Sequence, residues 1–366
     1  ARDARAGQVL LAGAAVAAVI GLVVFASAVG NPVTKLGNAW DDFKTQPTPK
    51  EGGSARLGRS LGSNRYDFWR VAWDRFGERP VAGIGADNFQ QDYLVRRKSN
   101  ETPRYPHSLP LRVLLSTGLV GALLLGGAFV AALLAAALAI RRRVGLGAAV
   151  VAAGAASAVY WLIHGSVDWF WEFPGVAGPA LAMLGLAAGM LPRRPQLGRA
   201  GRRPLAHGPA GAAAVGLLGL AVAVSLALPW LSELNTRRAI EHWPANPQRA
   251  FQRLDRAASL NPLSPRPELV AGTIALRLGQ TREAERRFAA AIDRDDGNAY
   301  AHLELGALLT QRATTRARGR AELTRAHALN PRDPVIARVA REASGGRPVD
   351  IAAMNAEIQS RSRLVR

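Results

Sequence analysis

Five stretches of this chain, residues 8–29, 111–140, 145–165, 174–191 and 210–231, carry almost no charge and are built from Ala, Leu, Val and Gly. A helix rises 1.5 Å per residue, so runs of about 18–30 residues can cross a hydrocarbon layer of roughly 30 Å. No polar face interrupts these runs, as one would on a helix half-immersed in water. The pattern predicts an all-α chain with about five transmembrane helices. Arg2 and Arg5 precede the first run as they would in a signal peptide, but that run is too long and further spans follow it.

The net charge of +20 invites a nucleic-acid reading, and its distribution argues against one. The short segments 2–5, 141–143 and 193–203 contribute +9 of that total, mostly as arginine. Basic short loops mark the cytoplasmic side. The N-terminus and the loops near 142 and 198 are therefore placed inside. Residues 31–110, the turn near 166–173 and everything after 231 are placed outside, and nucleic acid is not expected as a partner. The absence of cysteine closes disulfide and thiolate–metal readings.

The outer loop divides in two. Residues 44–63 are rich in Pro, Gly, Ser and Lys and are expected to be mobile. Asn64 is positioned to cap a helix that ends before Gly77, with Tyr66, Trp69, Trp73 and Phe76 on one face. That face suits a helix lying at the membrane surface, which would hold Arg65 and Arg70 near lipid headgroups. In Pro80-x-x-Gly83-x-Gly85 the third glycine of a dinucleotide fingerprint is missing, so a tight turn with close backbone approach is the better reading. A helix to about Arg97 is expected after it.

Beyond the fifth span, Leu254-x-x-Ala257-Ala258-x-Leu260-Asn261-Pro262 recurs around Phe288-x-x-Ala291 and again as Leu323-x-x-Ala326-x-x-Leu329-Asn330-Pro331. Steps of about 34 residues resemble the tetratricopeptide repeat, a pair of antiparallel helices per unit. The expected domains are 1–30, a transmembrane helix; 31–110, an extracytoplasmic loop; 111–231, four further spans; 232–344, a repeat array able to bind a protein partner; and 345–366, a tail.

Three sets of residues can carry chemistry. His107, in Pro106-His107-Ser108-Leu109-Pro110, lies where the outer loop enters the second span, with Ser108 as N-cap and Pro110 in the first turn. A neutral imidazole there can take a proton from a sugar hydroxyl, and a charged one can pair with phosphate. The loop arginines, among them Arg65, Arg70 and Arg104, can grip phosphate oxygens and stabilise a departing pyrophosphate. His164, Asp168 and Glu172, four residues apart, could line a helix face as metal ligands do. The neighbouring tryptophans and Pro174 favour an interfacial turn with a substrate-facing carboxylate instead, and no metal site is expected.

Arg65-x-x-x-Trp69, Pro80-x-x-Gly83-x-Gly85-x-x-x-Phe89, His107-Ser108 leading into Gly118-Leu119-Val120-Gly121, and His164-x-x-x-Asp168-Trp169 with Glu172-x-Pro174 together resemble the O-antigen ligase and polymerase family of membrane glycosyltransferases. The resemblance implies transfer of a glycan from an undecaprenyl-pyrophosphate carrier to a lipid, glycan or protein acceptor, at the outer face of the inner membrane, without a required metal or cofactor. It implies that His107 is the essential loop histidine and that Arg65 contacts the pyrophosphate. Arg70, Arg104, Asp168 and Glu172 are substrate-binding candidates. Members usually have about ten to twelve spans, so a chain of five is expected to be a C-terminal half that need not act alone. The alternatives are a non-enzymatic membrane-anchored repeat scaffold, which would need neither His107 nor Arg65, and a transporter subunit. Scarce charge within the spans disfavours the transporter.

Overall fold

The computed structural model describes residues 32–44, 64–142, 144–190 and 209–364, and its ordered elements are helices. In order these are α1 (Pro32–Lys44), α2 (Arg65–Glu78), α3 (Phe89–Arg96), α4 (Leu109–Arg142), α5 (Leu146–Val167), a 3-10 turn (Phe170–Glu172), α6 (Pro174–Gly189) and α7 (Pro209–His242). Then follow α8 (Pro247–Leu260), α9 (Arg266–Arg277), α10 (Thr281–Arg294), α11 (Ala299–Leu309), α12 (Arg316–Leu329), α13 (Pro334–Ser344) and α14 (Ile351–Leu364).

Among the described residues, three helices are long and apolar enough to cross a membrane: Leu109–Arg142, Leu146–Val167 and Gly211–His242. They mark the chain as a membrane protein. The span expected at 174–191 is the shorter α6, of 16 residues. The span expected at 8–29, and nearly all of the mobile stretch expected at 44–63, lie outside the described residues.

The chain divides into two compact units, one of residues 1–89, 97–131 and 156–184, the other of 90–96, 132–155 and 185–366. In the first unit, α2 turns Phe68, Val71 and Ala72 inward, each fully buried. The aromatic face anticipated on α2 is its half-exposed side, where α1 meets it. Phe43 lies 5.4 Å from Trp69, and Trp40 lies 6.1 Å from Tyr66, edge to face. Asp67, only 3% exposed, accepts hydrogen bonds from the backbone amides of Lys98 (2.8 Å) and Ser99 (3.1 Å), so α2 is tied to the segment leading to His107.

The apolar run of α4 conceals a break. Gly118 has φ 65° and ψ −164°, outside the helical region, and the ladder is interrupted there. Its freed groups are taken up by the Pro80–Gly85 turn: Ile84 N–H donates to the Leu115 carbonyl (2.8 Å), Gly85 N–H to Ser116 (3.1 Å), Leu119 N–H to Pro80 (2.8 Å) and Val120 N–H to Val81 (3.4 Å). A Cβ on Gly83 would sit 2.5 Å from the Leu115 oxygen, and one on Gly118 would meet the Val81 carbonyl. The two glycine motifs therefore explain each other as a pair of backbones in direct contact.

In the second unit, α7 runs unbroken from residue 209 to 242, across the boundary drawn at 231 from composition. Its side chains from 212 to 230 are exposed, an apolar surface suited to lipid. Beyond it, α8 packs on the end of α7, α9 on α10, α11 on α12 and α13 on α14, with neighbouring pairs also in contact. The recurring positions Leu254, Phe288 and Leu323, with Ala257, Ala291 and Ala326, are all buried. Each large one contributes about 1.5–3 kcal/mol by leaving water. Asn246, Asn298 and Asp333 cap α8, α11 and α13 through their side chains. Gly306 and Gly319 bring α11 and α12 together: a Cβ on either would lie 2.8 Å from the partner helix. Within the segment 345–366, expected as a tail, Ile351–Leu364 form α14. Met354 is fully buried and Ile351 and Ile358 pack on the core, a 3- and 4-residue spacing that anchors one helix face.

Candidate functional site

Asn64 takes up a left-handed conformation, φ 52°, and makes no side-chain cap. That backbone turn sends its amide to Glu101 (2.8 Å), while its carbonyl accepts the Asp67 and Phe68 amides. α2 also continues to Glu78, past the Gly77 stop expected from sequence, because one glycine at a helix end is tolerated. Arg65 becomes the first helical residue, and its guanidinium lies 3.1 Å from Asp168 Oδ2, both side chains mostly buried. Asp168 directly follows α5, whose end at Val167 prevents Glu172 from sharing its face. His164 Nε2 is 3.9 Å from the same Asp168 oxygen, beyond hydrogen-bonding reach.

His107 stands beside this pair. Ser108 Oγ accepts from Leu111 N–H at 3.5 Å, a long version of the expected cap at the start of α4. His107 itself has φ 53°, a left-handed backbone that costs a non-glycine residue about 1–2 kcal/mol. Its ring meets Phe68 edge-on (5.3 Å) and stacks on Trp169 (6.3 Å). Burial and then the positive charge of Arg65 lower its pKa, against the opposing pull of Asp168 and Glu101. The imidazole is therefore held in its neutral, proton-accepting form near neutral pH.

A second cluster forms around Arg112, which sequence reasoning passed over because one arginine in the first turn of a long apolar run hardly alters its hydropathy. Its guanidinium lies 3.7 Å from the Tyr105 ring and 4.4 Å from that of Trp171. It pairs with Asp87 at 3.1 Å and closely with Glu172. Arg104 shares Asp87 at 3.2 Å. Burial raises the Glu172 pKa, more than the Arg112 charge beside it lowers it. Asp87, at φ 62°, is a third left-handed residue, after Asn64 and His107.

The six candidates thus fall into three groups. His107, Arg65 and Asp168 come together. Arg104 and Glu172 join Asp87 and Arg112. Arg70 belongs with neither: it pairs along its own helix with Asp67 (2.7 Å) and Asp74 (3.4 Å) and borders a recess of about 90 Å³. His164, Asp168 and Glu172 do not converge, and among the described residues no group of three His, Asp or Glu side chains could hold a metal.

Residues 2–126 match the model of the O-antigen ligase family. The match spans about a third of the chain and includes Arg65, Asp87, Arg104, His107 and Arg112. Asp168 and Glu172 lie beyond it. No curated protein matches the chain. The likeness to the O-antigen ligases, together with the apolar helices, points to a membrane glycosyltransferase-like role.

Proposed function

We propose that this chain belongs to the catalytic part of a lipid-linked glycan ligase or polymerase, acting on an undecaprenyl-pyrophosphate donor at the outer face of the inner membrane. One observation carries the reading: a histidine with a depressed pKa stands beside the mostly buried Arg65–Asp168 pair, and both His107 and Arg65 lie within the residues that match the O-antigen ligase family. In this reading the acceptor hydroxyl oxygen attacks the anomeric carbon and the bond from that carbon to the pyrophosphate oxygen breaks. The hydroxyl proton passes to the free nitrogen of His107. The pyrophosphate leaves with its electron pair, its added charge met by Arg65, which Asp168 orients and whose buried Nε–H has no protein partner. Arg104, Arg112 and Glu172 hold the surrounding turns, and the acceptor is a lipid, glycan or protein. The helix pairs from the end of α7 onward are read as a tetratricopeptide-like array that recruits the acceptor or a protein partner.

The test uses the full-length membrane protein. His107→Ala should lower glycan transfer on the order of 10²–10⁴-fold with expression intact. Arg65→Lys should also impair it, because lysine keeps the charge and loses the planar fork. Wild-type transfer by His107→Ala would overturn the assignment.

A further inference from the structure

The end of α7 fixes where the membrane surface lies on the helix pairs that follow it. From Gly211 to Trp230 the helix rises about 30 Å, the depth of a hydrocarbon core, and Trp230, 63% exposed, is the residue type expected at headgroup level. The next turn is tied to its neighbours: Ser232 Oγ–H donates to the Ala257 carbonyl (2.7 Å), and Glu233 pairs with Arg266 (3.3 Å). Ala257 and Arg266 bracket the α8–α9 turn, so residues 261–265 stand level with the turn of α7 that leaves the bilayer. Arg294 holds them there, donating to the Ala258 and Ser264 carbonyls (3.3 and 3.2 Å).

Leu263 sits in this held turn, 85% exposed. A lone leucine on a surface is ordinary, but the repeat supplies its own comparison. Asn261-Pro262-Leu263-Ser264-Pro265 recurs as Asn330-Pro331-Arg332-Asp333-Pro334, with Asn261 and Asn330 each ending a helix. The turn beside the membrane helix thus carries Leu and Ser where the far turn carries Arg and Asp. In the middle turn the same place is Gly297, and Gln91 of α3 covers it: its Nε2–H donates to Asp295, and a Cβ on Gly297 would lie 2.6 Å from its Oε1. Of these three turns, the first alone presents an apolar tip.

The charge around that tip suits lipid headgroups. Glu233 is shared between Arg237 (2.7 Å) and Arg266, and Asp255 is taken by Arg287 (2.7 Å). Arg256, exposed near the same end of α8, makes no ion pair among the described residues. The surplus is positive at the level where anionic headgroups lie. We infer that the α8–α9 turn docks the helix-pair array onto the membrane that α7 enters, with Leu263 dipping into the acyl boundary and Arg256 and Arg266 meeting anionic phospholipid headgroups. The array is then held against the bilayer instead of swinging about α7, whatever reaction the outer loop performs.

The chain has no cysteine, so a nitroxide on Pro262→Cys reports on this turn with Leu263 in place. In full-length protein in nanodiscs, immersion is read from collisions with oxygen, which concentrates in hydrocarbon, against collisions with a water-soluble nickel chelate. Oxygen should dominate at position 262, and nickel at Pro331→Cys, the equivalent place in the far turn. Adding Leu263→Asp should turn the 262 label over to nickel. Arg256→Gln, which removes one exposed charge, should shift its immersed fraction toward water about fivefold in discs containing phosphatidylglycerol and leave it unchanged in pure phosphatidylcholine. Equal nickel access at 262 and 331 would overturn the docking, as would an unmoved 262 label in a Leu263→Asp protein whose circular dichroism is unaltered. Should Leu263→Asp fail to fold, Arg256→Gln decides: the same small response in both lipids would overturn the assignment to anionic headgroups.

Discussion

Gly118→Ala should detach the Pro80–Gly85 turn from α4. The conformation at Gly118, φ 65° and ψ −164°, lies in a region open essentially to glycine alone, where another residue costs about 1–3 kcal/mol. The added methyl also meets the Val81 carbonyl, and relieving that contact means moving the Pro80–Gly85 turn. Two of the four backbone hydrogen bonds across the contact are short, Ile84 to Leu115 and Leu119 to Pro80, both 2.8 Å. Losing them adds about 2 kcal/mol at roughly 1 kcal/mol each. The total, about 3–5 kcal/mol, shifts the docked–undocked equilibrium by about 10²–10⁴-fold. Amide hydrogen exchange in nanodiscs reads this directly, with protection at Ile84 and Gly85 falling by that factor. Gly127→Ala, on the same helix with nothing within 4 Å of the added methyl, should leave it unchanged. Because Asp87 follows two residues after Gly85, glycan transfer should fall in the Gly118 variant as well. Unchanged protection at Ile84 and Gly85 in folded Gly118→Ala would refute the interlocked-glycine argument.

Two further outcomes concern ionisation. The His107 pKa is depressed, so the base is lost only as pH falls through a value below about 6.5, and kcat/KM should show its acid limb there. In Arg65→Gln the residual activity should have that limb at higher pH, since a cation opposing protonation is gone; a limb that stays put or moves down would show that Arg65 does not act on His107. In the second unit, burial raises Glu304 to about 7, while hydrogen bonds with Tyr300 and Asn355 oppose the rise. A folded pKa above the unfolded one gives stability that is present at low pH and lost as pH rises through about 7. The full-length protein in detergent should therefore melt at lower temperature as pH passes from 5 to 8, and Glu304→Gln should remove that dependence; an identical pH profile in the variant would rule Glu304 out as its source.

The parts of the site that were legible in the sequence are those fixed by local rules. Ser108 before an apolar run with Pro110 in the first turn announced the start of α4 and placed His107 just outside it. Gly83-x-Gly85, without the remainder of a nucleotide fingerprint, announced a close backbone approach. Its partner did not, because Gly118 within Ser116-Thr117-Gly118-Leu119 looks like any glycine in a membrane helix, and only the incoming turn makes a break there stable. Asn64 carried a cap residue's identity, yet its left-handed backbone gave the side chain to Glu101. The pairing of Arg65 with Asp168, and of Arg112 with Glu172, depends on how α4, α5 and the 3-10 turn pack, which no local spacing encodes. α14 was missed for a related reason: its three anchoring side chains become an apolar face only against the surface left by α11 and α13.

The left-handed backbones of His107 and Asp87 have a physical role in this arrangement. Each costs on the order of 1–3 kcal/mol and persists only if its surroundings over-determine it. Both flank contacts that do so: Ser108 and the Asp67 links to Lys98 and Ser99 bracket His107, and the docked Pro80–Gly85 turn fixes the approach to Asp87. Four backbone hydrogen bonds at about 1 kcal/mol each are of the size needed to offset the strain at Asp87. A base carried on a free loop would sample many orientations, and transfer of a proton demands one, within roughly 3 Å of the attacking oxygen. The broken helix, the glycine turn and the buried Asp67 turn a polar loop into a rigid mount, and under the proposed function that rigidity is what His107 needs to act on one hydroxyl of an incoming acceptor.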